Sequence, residues 1–225
     1  MAAHATEHLV HIPDGPARLE GVLALPQGAS SVVLFAHGSG SSRHSPRNNY
    51  VARVLREASL GTLLIDLLTP EEDSDYRTRF DIPLLTRRLE AATRWLQAEG
   101  APTLAVGYFG ASTGAAAALQ AAANLGGTIF AVVSRGGRPD LAGDDYLPRV
   151  GAPTLLIVGG YDHEVAILNR QAFDLLQCKK ELTIVPGATH LFEEPGTLED
   201  VARLAAGWFK RFQPAQPQSA SGGGL

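Results

Sequence analysis

The chain has 225 residues, of which 45% are apolar and 19% charged, and its formal net charge is −4. That apolar share supports a large buried core and excludes global disorder, and the mild negative charge with scattered arginines offers no footprint for nucleic acid. A single cysteine, Cys178, excludes an internal disulfide or a cysteine-rich metal site.

Residues 1–10 lack the basic and apolar regions of a secretion signal. The apolar runs are strand-sized and too short to cross a bilayer. The expectation is a cytoplasmic protein with no membrane or nucleic-acid partner. His4-Ala5-Thr6-Glu7-His8 has the His-x-x-Glu-His spacing of one zinc-peptidase class. That spacing binds metal only when a helix sets both histidines on one face. Here it runs into a strand-like segment, so it is read as chance and no metal is expected.

Residues 9–12 and 19–25 alternate in part and read as opening antiparallel strands. Six short, nearly continuous aliphatic runs follow at 32–36, 62–65, 104–108, 129–133, 154–158 and 182–185. Such runs belong to strands covered on both faces. Helical patterns fall at 49–57, 84–97, 112–124, 165–176 and 198–212. This alternation predicts an α/β fold with a mostly parallel sheet and right-handed crossovers, one domain over residues 1–212. The stretch 213–225 is rich in Pro, Gln, Ser and Gly and reads as a disordered tail or linker.

In such a sheet ligands bind beyond the carboxyl ends of the strands. Those ends carry His37-Gly38-Ser39-Gly40, Asp66, Gly110-Ala111-Ser112-Thr113-Gly114, Ser134-Arg135-Gly136-Gly137-Arg138, Gly159-Gly160-Tyr161-Asp162-His163 and Gly187-Ala188-Thr189-His190. Taken alone, Gly110 to Gly114 is a weak pattern whose rival reading is a Gly/Ser-rich turn. Between a strand and a helix, however, it is the corner that lifts a serine hydroxyl above the sheet, with glycines where a Cβ would clash.

A serine hydroxyl is a weak nucleophile and needs a base. His190 can take its proton and later pass it to the leaving group. Asp162 can hold the imidazole tautomer and stabilise the imidazolium. Asp140, Asp144 and Asp145 are rival acids after the sixth strand. The backbone N–H groups of Thr113 and Ser39 are the expected oxyanion donors. His37 is expected to orient its loop and not to act as a base, Asp66 to stabilise a turn, and His44 and His163 to have no role.

The order Ser112, Asp162, His190, with the Gly-x-Ser-x-Gly corner and the His37-Gly38-Ser39-Gly40 loop, resembles the α/β-hydrolases of the dienelactone hydrolase-like branch. The likeness runs from about the first strand to Phe212. It implies an eight-stranded sheet, metal-independent acyl transfer and no cofactor. Dienelactone hydrolases carry cysteine at the nucleophile position, where this chain has Ser112. That difference points away from dienelactone itself and toward a serine carboxylesterase acting on small or short-chain esters through an acyl-enzyme. A thioesterase, lactonase or peptidase would use the same triad, and a non-catalytic module of a longer fused protein is a further alternative.

Arg43, Arg135 and Arg138 sit on loops expected to rim the pocket, where a guanidinium could grip a substrate carboxylate. Pairing with acids such as Asp140 or Asp144 is the slightly favoured alternative. Tyr161, Phe192, Leu67 and Leu68 are expected to line the pocket. No insertion is long enough for a helical cap domain, so an open, shallow pocket is expected, in a monomer or homodimer.

Overall fold

The structure is a computed structural model and describes residues 6–215. Eight strands form one sheet in the order β1-β2-β4-β3-β5-β6-β7-β8. They are β1 (Thr6–Asp14), β2 (Ala17–Leu25), β3 (Ser31–Ala36), β4 (Gly61–Ile65), β5 (Ala105–Ala111), β6 (Ile129–Arg135), β7 (Thr154–Gly159) and β8 (Lys180–Val185). β2 pairs antiparallel with both β1 and β4, and every other pairing is parallel. The strands β3, β4 and β7 are buried at every residue, which is why their sequences are dominated by apolar side chains.

The crossover helices are α1 (Pro46–Glu57), α3 (Ile82–Trp95), α4 (Thr113–Leu125) and α5 (His163–Leu175), and α6 (Thr197–Phe212) closes the fold. α1 and α6 pack together on one face, where Phe35, Phe109, Val133 and Phe209 form the core. α3 and α4 cover the other face over Leu34, Tyr108 and Leu156. α4 is alanine-rich because it is buried along eleven of its thirteen residues, and only small side chains let it lie so close to the sheet.

All eight expected strands are present, and the principal departure is length. β5 runs on to Ala111 and β6 to Arg135, so the sheet itself delivers the residues at the corner before Ser112. The region 66–81, for which the sequence predicts no helix or strand, folds into α2 (Pro70–Asp73) and a 3-10 turn at Tyr76–Phe80. α2 is started by a reciprocal cap: Thr69 Oγ1 accepts from the Glu72 N–H, and a Glu72 carboxylate oxygen accepts from the Thr69 N–H. No cap domain interrupts the described residues. No helix among them is long and apolar enough to cross a membrane.

Of the segment expected as a tail, Gln213 is anchored, its amide donating to the Ser30 and Ser31 hydroxyls at 2.7 and 3.0 Å. Residues 216–225 lie outside the described residues, as does His4 of the His-x-x-Glu-His match. The rest of that match from Thr6 onward lies in β1, a strand where the spacing needs a helix.

Candidate active site

Ser112 stands between the last residue of β5 and the first of α4 with φ 50° and ψ −121°, a region non-glycine residues rarely occupy. It holds the N-cap position of α4, yet its side chain makes no capping hydrogen bond, so the hydroxyl is left unused by the helix. The tight packing around the corner explains its glycines. A Cβ on Gly114 would press into the carbonyl oxygens of Ala36 and His37, 2.5 Å from the latter, and one on Gly110 would sit 2.5 Å from the Ala115 Cα. The β3 loop also touches the corner directly, since a Cβ on Gly38 would lie 2.9 Å from the Ser112 Cβ.

The acid and the imidazole are brought together by the loops after β7 and β8. Gly159 permits it, because a Cβ there would come within 2.5 Å of the Ala188 and Thr189 carbonyl oxygens. Across that contact the Gly160 N–H donates to Val185 O at 2.8 Å and the Tyr161 N–H to Ala188 O at 2.9 Å. Asp162 Oδ2 then lies 2.6 Å from His190 Nδ1, a charge-assisted distance. Asp162 occupies the N-cap position of α5 without using its side chain as a cap. The rival Asp140 is engaged elsewhere, in a two-point pair with Arg138 at 2.9 and 2.7 Å.

His190 is also held next to the β6 end. A Cβ on Gly136 would lie 3.1 Å from the His190 carbonyl oxygen and 3.6 Å from its Cε1. The Ser112 N–H reaches the Arg135 carbonyl at 3.4 Å, which ties the serine corner to the same strand end. Ser112, Asp162 and His190 are therefore gathered beyond the carboxyl ends of β5, β7 and β8. Among the described residues the Ser112 hydroxyl makes no hydrogen bond, so the imidazole edge is not docked onto it here. Such contacts tighten when substrate binds.

His37 is buried and bonded at both ring nitrogens. Nδ1 lies 3.0 Å from Gly38 O, and Nε2 accepts the Leu67 N–H at 3.0 Å. Burial holds its pKa below the ordinary imidazole value. The ring is thus a neutral strut between the β3 and β4 loops.

Of the two expected oxyanion donors, the Ser39 N–H is already engaged, donating to Thr113 Oγ1 at 3.0 Å. Sequence spacing carries no signal for a bond between residues 74 positions apart.

The arginines separate clearly. Arg43 pairs with Glu20 at 2.5 Å and with Asp66, beside a cleft of about 230 Å³ lined also by Arg18, His37, Ser41 and Thr69. Arg138 pairs with Asp140. Arg135 is only 5% exposed and has no carboxylate partner among the described residues. One Nη meets Asn48 Oδ1 at 3.3 Å, its Nε is without a partner, and the guanidinium stands 5.8 Å over the Phe192 ring. Burial and the nearby Arg47 lower its pKa to about 10, which leaves it charged at neutral pH.

Phe192 is not on a pocket wall: it is 1% exposed and packs in the core beneath the His190 turn, with φ 56°. Tyr161 is 66% exposed. Leu67 and Leu68 are buried, and Leu68 borders the 230 Å³ cleft.

Compared with known proteins, the chain is 57% identical to a dienelactone hydrolase from Anabaena variabilis whose crystal structure is known. The match has a TM-score of 0.90 and covers 93% of this chain and 99% of that one. The chain belongs to the dienelactone hydrolase-like α/β-hydrolases. An α/β serine hydrolase without a lid from Xanthomonas campestris shares the fold at 22% identity, with a TM-score of 0.75 and coverage of 94% of this chain and 97% of that chain. Two curated proteins from Mycobacterium tuberculosis strains are 58% identical over 201 residues, 89% of this chain, and carry the provisional name phosphoribosyl transferase. The chain spans only 45% of their length. No protein-family model matches the chain. Its membership therefore rests on the Anabaena hydrolase, which it matches over 93% of its own length.

Proposed function

We propose that this dienelactone hydrolase-like chain is a serine carboxylesterase that opens small carboxylic esters through an acyl-enzyme on Ser112. The observation that carries the reading is the corner itself: a serine at φ 50°, unused as a helix cap, at the strand-to-helix junction. Such strain is retained where a side chain must be presented. His190 takes the serine proton as Ser112 Oγ attacks the ester carbon, and Asp162, 2.6 Å from Nδ1, keeps the proton-bearing tautomer facing away from the serine. The imidazolium then protonates the departing alcohol. Water, activated by the same imidazole, releases the acid and restores Ser112.

Arg135 supports a preference for acyl groups bearing a carboxylate. A buried guanidinium without a counter-ion costs several kcal/mol, and a substrate anion would offset that cost beside the His190 turn. A lactone is an ester whose alcohol stays tethered, and the name of the Anabaena relative favours lactones as a second substrate class for the same residues. The length of the Mycobacterium relatives favours one more reading, that this unit serves as part of a longer chain. Their provisional name describes proteins of which it is less than half.

The test is hydrolysis of a panel of short esters and lactones, neutral and carboxylate-bearing, by the purified chain and by Ser112→Ala. Turnover abolished by the substitution supports the reading, and undiminished turnover overturns it.

A further inference from the structure

The Ser39 amide ought to be open to an oxyanion, and it is not. Its N–H points at the Thr113 hydroxyl, 3.0 Å away, while Thr113 is the residue directly after the nucleophile and is only 2% exposed. Resting on the esterase reading above, we propose that the Thr113 hydroxyl is itself an oxyanion donor, accepting the Ser39 N–H and donating its own O–H as a hydrogen bond to the substrate oxygen.

Four features support this role. The hydroxyl accepts one hydrogen bond and has no acceptor for its proton among the described residues. A hydroxyl that accepts an amide N–H is polarised into a stronger donor. Thr113 opens α4, so its backbone N–H is one of the helix's unpaired first-turn donors and lies at the positive end of the helix dipole. One residue thereby presents two donors, and its buried setting keeps competing water away. Finally, Ser39 and Thr113 share the wall of a cavity of about 10 Å³ with His37, Gly38 and Gly40, room for about one oxygen-sized group. Gly38 sets that cavity against Ser112. In this arrangement the β3 loop acts on the reaction through Thr113, and the Ser39 side chain is dispensable.

Thr113→Val keeps the shape and the backbone donor but removes the hydroxyl, while Thr113→Ser keeps the hydroxyl. On short p-nitrophenyl esters, Thr113→Val is expected to lose about 100- to 1000-fold in kcat with KM nearly unchanged, the usual cost of one oxyanion donor. Binding of a trifluoromethyl ketone, which forms a tetrahedral adduct, should weaken by a similar factor, and Thr113→Ser should restore most of both. If Thr113→Val does not fold, Thr113→Ala is measured in its place with the same expectation. Wild-type or faster turnover without the hydroxyl would mean that Thr113 merely plugs the site and would overturn the proposal. So would a loss confined to KM, or a Thr113→Ser variant as impaired as Thr113→Val. Failure here is distinct from failure of the esterase reading, because the latter shows as Ser112→Ala retaining turnover.

Discussion

At the scale of single residues, the decisive question is which carboxylate serves His190. In the sequence, Asp140 and Asp162 both follow strands at the same edge of the sheet. Chain order favours Asp162, but order cannot report a distance. The fold separates them, with Asp162 against the imidazole at 2.6 Å and Asp140 held by the two-point grip of Arg138. Asp162→Asn is therefore expected to lower kcat by about 10⁴-fold, because an amide stabilises the wrong imidazole tautomer, whereas Asp140→Asn should stay near wild type. Steady-state kinetics of the two variants checks this, and the opposite ranking would transfer the role to Asp140. Arg43 and Arg135 carry the same lesson. As residue types they were equivalent, and only packing shows that Arg43 is neutralised by Glu20 and Asp66 while Arg135 is buried without a counter-ion among the described residues.

At the scale of elements, the site depends on how closely α4 approaches β3. Gly114 lets the first turn of α4 press against the Ala36 and His37 carbonyls, and this contact holds both Ser112 and Thr113 beside the β3 loop. Gly114→Ala would force helix and strand apart. It is expected to cost about 1–3 kcal/mol of stability, the range for overpacking, and to reduce activity more than the stability loss alone explains. Thermal denaturation read beside turnover checks it, and an unchanged melting temperature would contradict the packing described here.

The elements themselves were legible because buried parallel strands require continuous aliphatic runs and the crossover helices carry a clear apolar face. Less legible was the region 66–81, where α2 rests on the local Thr69–Glu72 cap and not on a long apolar period. The Thr-Pro-Glu-Glu signal was present but short. Phe192 was misplaced for a different reason: an aromatic after a catalytic loop reads as lining, yet its positive φ turns the ring into the core beneath Arg135.

For the molecule as a whole, the buried His37 strut couples stability to pH. Burial lowers its folded-state pKa below the unfolded value of about 6.5, so the unfolded chain binds the proton more readily. The stabilising contribution is accordingly complete above about pH 6.5 and is lost as pH falls through the lower folded value. The melting temperature should drop on acidification below about pH 6.5, and the drop should be shallower in His37→Gln, which cannot titrate. Identical slopes for the two proteins would show that the strut does not carry this dependence.

The whole fold converges on the carboxyl end of the sheet, where five strand ends bring Ser39, Ser112, Arg135, Asp162 and His190 into one neighbourhood. The central claim is that Ser112 forms a covalent intermediate. It is tested most directly by treating the folded protein with a fluorophosphonate and locating the adduct by peptide mass spectrometry. The expected result is a single adduct on Ser112, loss of ester turnover in step with labelling, and no adduct in Ser112→Ala. An adduct on another residue, or ester turnover that survives complete labelling, would contradict it.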